Sequence, residues 1–127
     1  MLYIDVMSRT PVYEQIIIQI EKLIGAGILK EGEQLPSVRS LSIELSVNPK
    51  TIQKAYGELD AKGIIGSVPG KGCYVMPGAR DILQGIAKKR LSEITAIASE
   101  LLLCGITKEE IIDAVNQAEK PTKEVIK

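Results

Sequence analysis

The sequence predicts a mainly α fold with one small β-hairpin, in which a helix-turn-helix unit is followed by a two-helix appendage. Three observations carry this expectation. Apolar residues recur at i, i+3, i+4 and i+7 in several windows, the period of a helix with one buried face. Two of those windows lie between Leu35 and Ile65 and are separated only by Ser46-Val47, a connection that suits a tight turn between two short helices. Downstream, Pro69-Gly70-Lys71-Gly72 sits between two β-prone runs, Ile64 to Val68 and Cys73 to Met76, which is the pattern of a hairpin.

Each element follows in order. Residues 1–9 read as an extended lead-in. Thr10 is the expected N-cap of a first helix with Pro11 at its first position. Tyr13, Ile16, Ile17, Ile20, Leu23 and Ile24 form its apolar face, and Gly25 and Gly27 end it. Ser37 caps a second helix that presents Val38, Leu41 and Leu45. Asn48 caps a third, with Pro49 in the first turn where no N–H is needed. Ile52, Ala55, Tyr56 and Leu59 are its buried face, and Gly63 closes it.

Pro77-Gly78 is a breaker and divides a region 1–77 from a region 78–127. In the second region one long helix is expected from about Ala79 to Leu103. Ala87, Leu91, Ile94, Ala98 and Leu101 repeat at alternating spacings of four and three, a short heptad-like seam. Leu83, Ile86, Ile97 and Leu102 flank it, so the stripe is wider than a single seam. Thr107-Lys108-Glu109-Glu110 is a capping box that opens a last helix. Pro121 to Lys127 reads as a polar tail.

Composition narrows the chemistry. At 127 residues the chain suits one small domain with an appendage. Apolar residues make up 45%, but aromatic ones only 3%, with no Phe or Trp, so the core must be aliphatic. The 16 basic and 16 acidic residues cancel, and each region carries 8 of each. A nucleic-acid binder needs a basic stripe rather than a basic total, so this neither supports nor refutes DNA binding. The lack of His removes Ser-His-Asp and Cys-His catalysis and most zinc sites. No metal, cofactor or enzymatic activity is therefore expected. Cys73 and Cys104 stand in no metal spacing and are expected to be free, mostly buried thiols. No apolar run approaches ~20 residues, so no membrane span is expected. Without a visible signal peptide, the expected location is cytoplasmic.

The functional candidates lie on the third helix and the hairpin. Lys50, Thr51, Gln53 and Lys54 are left over after the core positions and cluster in the first two turns. Base edges are read from that end of a groove-inserted helix. Lys donates to guanine, Gln can pair both ways with adenine, and Thr can meet a thymine methyl or a phosphate. Asn48 can cap the helix and touch phosphate, and Arg39 on the second helix can bind phosphate across the groove. In the hairpin, Gly70 and Gly72 allow close backbone approach, and Lys71 can enter or border the minor groove. The plainer readings are a solvated helix face, an Asn48 that only caps, an Arg39 paired with Glu44 or Glu58, and a Lys71 that decorates a turn.

The order and spacing of these features carry a resemblance. Pro11-x-Tyr13-x-Gln15-Ile16, Ile24, Gly27, Leu29 and Gly32 come first, then Leu35-Pro36-Ser37-x-Arg39-x-Leu41. Val47-Asn48-x-x-Thr51, Ala55-Tyr56-x-x-Leu59, Gly63 and Gly70-x-Gly72-x-Tyr74-Val75 follow. This series, over about Pro11 to Val75, resembles the winged helix-turn-helix of the GntR family, and the short helical remainder is similar to its YtrA-type branch. The resemblance implies a homodimeric transcription factor, usually a repressor, on a near-palindromic operator in double-stranded DNA. It also implies DNA contact at Arg39, Thr51 and Gly70, with Asn48, Lys50 and Gln53 at neighbouring contact positions. Regulators of that branch often stand beside transporter operons. One departure matters: many members have Ser-Arg where this chain has Asn48-Pro49, and part of the lost arginine's role can pass to Lys50.

For the appendage, the expected role is dimerisation through Leu83, Ala87, Leu91, Ile94, Ala98 and Leu101, since two helices bury little apolar area alone. No effector pocket stands out, and the effector is unknown at this level. The competing class is a winged helix that binds protein rather than DNA; a small enzyme finds no nucleophile-base pair here.

Overall fold

The computed structural model describes residues 2–119, so the tail expected from Pro121 to Lys127 lies outside the described residues. The element order is α1 (Val12–Gly25), α2 (Val38–Leu45), α3 (Pro49–Ala61), β1 (Ile65–Val68), β2 (Gly72–Val75), α4 (Ala79–Lys88), α5 (Leu91–Leu103) and α6 (Lys108–Asn116). The chain divides into two compact units, one running up to Leu83 and a second from Gln84.

The first unit holds the core, and it is aliphatic as the composition requires. Ile16, Ile20, Leu23 and Ile24 of α1 meet Leu41 of α2, Ile52 and Leu59 of α3, and Ile64, Ile65 and Val75 of the hairpin region. Tyr56 is the one aromatic ring in this buried cluster. The α1 helix starts one residue later than expected: Pro11 is the N-cap, and no side chain caps it. The reason is Gln15, which is buried and reaches back over the helix start. Its Nε2 donates to the carbonyls of Thr10 (2.8 Å) and Asp5 (3.0 Å), and its Oε1 accepts from the Asp5 N–H (2.9 Å). Gln19, one turn on, makes the same two-way pairing with the backbone of Tyr3. The lead-in is thus an extended segment held to α1 by two glutamines, a use of polar side chains that apolar periodicity does not report.

The hairpin is antiparallel, with Ile65 opposite Val75 and Val68 opposite Gly72. A third segment lines its outer edge. Gln34 bridges Tyr74, the Leu35 N–H donates to the Cys73 carbonyl (2.8 Å), and the Val75 N–H donates to the Glu33 carbonyl (2.9 Å). The loop between α1 and α2 thereby satisfies backbone groups that a bare hairpin would leave at its edge.

After the hairpin, the single long helix expected from Ala79 to Leu103 is two helices, so three rather than two follow β2. The break falls at Lys89-Arg90. There the Lys89 and Arg90 N–H groups bond three residues back, to Ile86 and Ala87. The Ser92 hydroxyl donates to the Lys89 carbonyl, and Arg90 pairs with Glu93 at 2.8 Å. The Ser92 bond offers the backbone a local alternative to the helical ladder, and the cations Lys88, Lys89 and Arg90 suit the C-terminal end of α4. The start of α4 belongs to the first unit: Ala79 is fully buried and Leu83 packs against the core. Leu83 is half-buried there, against the core of the winged unit. Within the second unit, the Thr107 capping box of α6 forms as the sequence indicates.

Candidate nucleic-acid interface

The α2–α3 corner is built by three local devices. Ser37 Oγ accepts from the Ser40 N–H (3.0 Å) and starts α2. Ser46 takes a left-handed conformation (φ 55°) and ends it, a turn that costs a non-glycine residue some strain. The Val47 N–H returns to the Ser42 carbonyl (3.0 Å), and the Ser42 hydroxyl donates to the Val47 carbonyl. Asn48 Oδ1 then accepts from the Lys50 N–H (2.9 Å), and Pro49 occupies the first helical position. Asn48 is thus a cap by its oxygen, with its amide hydrogens left as donors.

Tyr56 fixes this corner from behind. Its hydroxyl donates to the Pro36 carbonyl (2.7 Å), tying the buried side of α3 to the residues that lead into α2. Burial pushes its pKa well above the ordinary 10, with Cys73 and Glu44 adding to the shift. A raised pKa favours the protonated form in the folded state. Its contribution is therefore intact below pH 10 and lost as pH climbs towards the folded value. Tyr56→Phe is expected to cost about 1 kcal/mol, because it removes one hydrogen bond and keeps the ring; a denaturant melt at neutral pH checks this, and an unchanged midpoint would remove the tie.

Helical spacing sets Lys50, Gln53 and Lys54 away from the core face of Ile52, Ala55, Tyr56 and Leu59. All three are exposed, and Thr51 is half-buried. The cations differ in what they already touch. Among the described residues the side-chain ion pairs are Lys62–Glu21 and Arg90–Glu93. Arg39, Lys50 and Lys71 are exposed and in neither of them, so the pairing of Arg39 with Glu44 or Glu58 does not form. Lys54 departs from expectation: its Nζ lies 3.9 Å from the centre of the Tyr13 ring. That contact links α3 to α1 and is worth about 0.5–1 kcal/mol at an exposed site. Lys54 thus links the two helices while remaining exposed.

The wing tip is a tight turn. The Lys71 N–H donates to the Val68 carbonyl (2.9 Å), Gly70 has φ +76° and Gly72 φ +108°. An open cleft of about 420 Å³ separates the wing from α3; Gln53 and Gly57 line it on one side, Ser67 and Cys73 on the other. A second recess of about 580 Å³ lies elsewhere in the same unit, over Leu2, Leu29, Glu33, Glu44 and Tyr56. The cysteines are less enclosed than expected. Cys73 is half-buried with its Sγ 3.4 Å from Ser67 Oγ, and Cys104, at the end of α5, is exposed because no described residue covers that helix end. No described helix is long and apolar enough to cross a membrane.

A short helix-turn-helix with a glycine-rich two-stranded wing is the architecture, and the family model described as "Bacterial regulatory proteins, gntR family" matches residues 12–75. The chain belongs to the GntR family. Its sequence is similar to the HTH-type transcriptional repressor YtrA of Bacillus subtilis, 47% identical over 83 residues. That match spans 65% of this chain and 64% of the repressor's length. Its structure is similar to a GntR family transcriptional regulator from Listeria monocytogenes, with a TM-score of 0.72 and 38% identity over 91% of this chain and all of that one. The crystal structure of AraR(DBD) in complex with operator ORX1 matches 58% of this chain and 92% of that one, at 30% identity and a TM-score of 0.52. Residues 12–75 of this GntR chain thus carry the winged helix-turn-helix of a family of bacterial regulatory proteins. The GntR match ends at Val75, so it covers α1 to β2 and leaves α4 to α6 to be read from their own residues.

Proposed function

We propose that the protein is a homodimeric repressor that binds a near-palindromic operator through α3 and the wing, and that it dimerises through α5. The observation that carries the dimer is α5 itself. None of its residues is buried in the single chain, although it is mostly apolar; Leu91 is 58% exposed, Ile94 53% and Ile97 57%. Contiguous apolar surface of this kind marks an association site. A two-fold pair would also present two α3 helices at once. Half-sites one helical turn apart, about 34–36 Å, are the generic spacing for such dimers. The likeness to the repressor YtrA favours repression, and the YtrA-type resemblance of the sequence points to a transporter operon as the target. Regulation without catalysis is part of this reading.

The cations set the test. Arg39, Lys50 and Lys71 contact phosphate or base edges in this reading, so affinity should fall steeply with salt. Each Lys→Ala should shallow the log–log slope by about one. Gln53→Ala should change sequence preference, whereas Lys71→Ala should weaken binding to all sequences evenly. Selection of bound fragments from the source genome, followed by footprinting, reads symmetry and target together. An asymmetric footprint would overturn the dimeric reading. A complex insensitive to salt would favour the alternative, a winged-helix module that binds protein.

A further inference from the structure

We propose that Gln34 is a positioning residue for the wing: from the loop before α2 its side-chain amide holds the backbone of Lys71 and so aims the Lys71 ammonium at DNA. The inference rests on the reading of the wing as a DNA contact.

The argument starts from the turn. Pro69 fixes φ near −65° by its ring, Gly70 has φ +76°, and the Lys71 N–H closes onto the Val68 carbonyl at 2.9 Å. This is the signature of a type II turn. The last pair of the ladder is Val68 with Gly72, so Lys71 lies in a three-residue loop outside the strand pairing. The hairpin is also only four residues a side, too short to fix its own tip firmly. Something outside the hairpin has to set where Lys71 lies.

Gln34 does so. Its Nε2 donates to the Lys71 carbonyl at 2.7 Å, across 37 residues of sequence. The Tyr74 hydroxyl donates to the same oxygen at 3.3 Å. Gln34 is itself anchored, because its backbone bridges Tyr74 and the next residue's N–H bonds to Cys73. Gly72 accommodates the arrangement: a Cβ there would stand 3.0 Å from the Gln34 amide nitrogen, and φ +108° already disfavours a side chain. The turn, the glycine and the amide thus form one device, whose output is the position of a cation that pairs with no described carboxylate.

Gln34→Met keeps length and removes the donors without changing charge. The test measures affinity against salt for a duplex that the wild-type protein selects from a random-sequence pool, using five proteins: wild type, Gln34→Met, Lys71→Ala, the double variant of these two, and Tyr74→Phe. Gln34→Met should weaken binding by about 3- to 10-fold, the effect of one hydrogen bond. It should also shallow the salt slope by up to about one, the share of a single phosphate contact. In the Lys71→Ala background it should change neither. Tyr74→Phe, acting on the same carbonyl, should move both readouts in the same direction by less. A slope left unchanged by Gln34→Met, or a loss of equal size in the Lys71→Ala background, would overturn the proposal, since simple loss of folded protein lowers affinity without touching the slope. If Lys71→Ala itself leaves affinity and slope as in wild type, the wing reading falls first.

Discussion

Ile94→Asp is expected to turn a dimer into monomers and to lower operator affinity by at least a hundredfold. Ile94 stands 53% exposed in the single chain, beside Leu91 and Ile97 on a helix with no buried residue. Full burial of an aliphatic side chain is worth about 1.5–3 kcal/mol, so a few such residues from each copy can hold a pair together. An aspartate at the same place must shed its hydration to enter the interface, and an unpaired buried charge costs several kcal/mol. Losing the pair removes the second half-site as an intramolecular contact, an advantage of about 10²–10⁴ in affinity. The first unit has its own core and should keep its fold. Sedimentation and circular dichroism separate the outcomes: a variant that still sediments as a dimer would mean that α5 is not the seam.

The second large effect is at Ile52. Its side chain is fully buried, in α3 between Thr51 and Gln53. Ile52→Ala should cost about 2–5 kcal/mol through lost transfer energy and the cavity left behind. Against a total of about 5–15 kcal/mol for a small domain, this lowers Tm by roughly 10 °C or more. DNA binding should fall with it, because the residues on either side depend on the seat of that helix. Gln53→Ala is the contrast, since it should alter recognition and leave the melt unchanged. A melt of Ile52→Ala within about 0.5 kcal/mol of wild type, the ordinary range of surface substitutions, would show that α3 is not packed through this residue.

Most of the winged unit was legible in the sequence because its signals are local. Ser37 and Asn48 cap helices through N–H groups two or three residues away. Ile52, Ala55, Tyr56 and Leu59 share a face by helical period alone. Pro69 and Gly70 specify their turn by backbone sterics. What escaped the sequence depends on partners far along the chain. Gln15 stands outside the apolar face of α1, and its bonds to Asp5 and Thr10 appear only in the fold. Lys54 has the spacing of a groove residue but meets a ring on α1. The break at Lys89-Arg90 was hidden because apolar spacing continues through it from Ala87 to Leu91, while the backbone bonds change register.

The sequence by itself determined the order of elements from α1 to β2, the caps of α2, α3 and α6, and the aliphatic core of the first unit. Those properties follow from steric preferences and from apolar period, which act within about a turn of chain. Only the tertiary structure decided which cations remain unpaired, that Leu83 packs with the winged core, and that Gln34 reaches Lys71. Each of these depends on distances between segments tens of residues apart, and such distances exist only once burial of the core has brought the segments together.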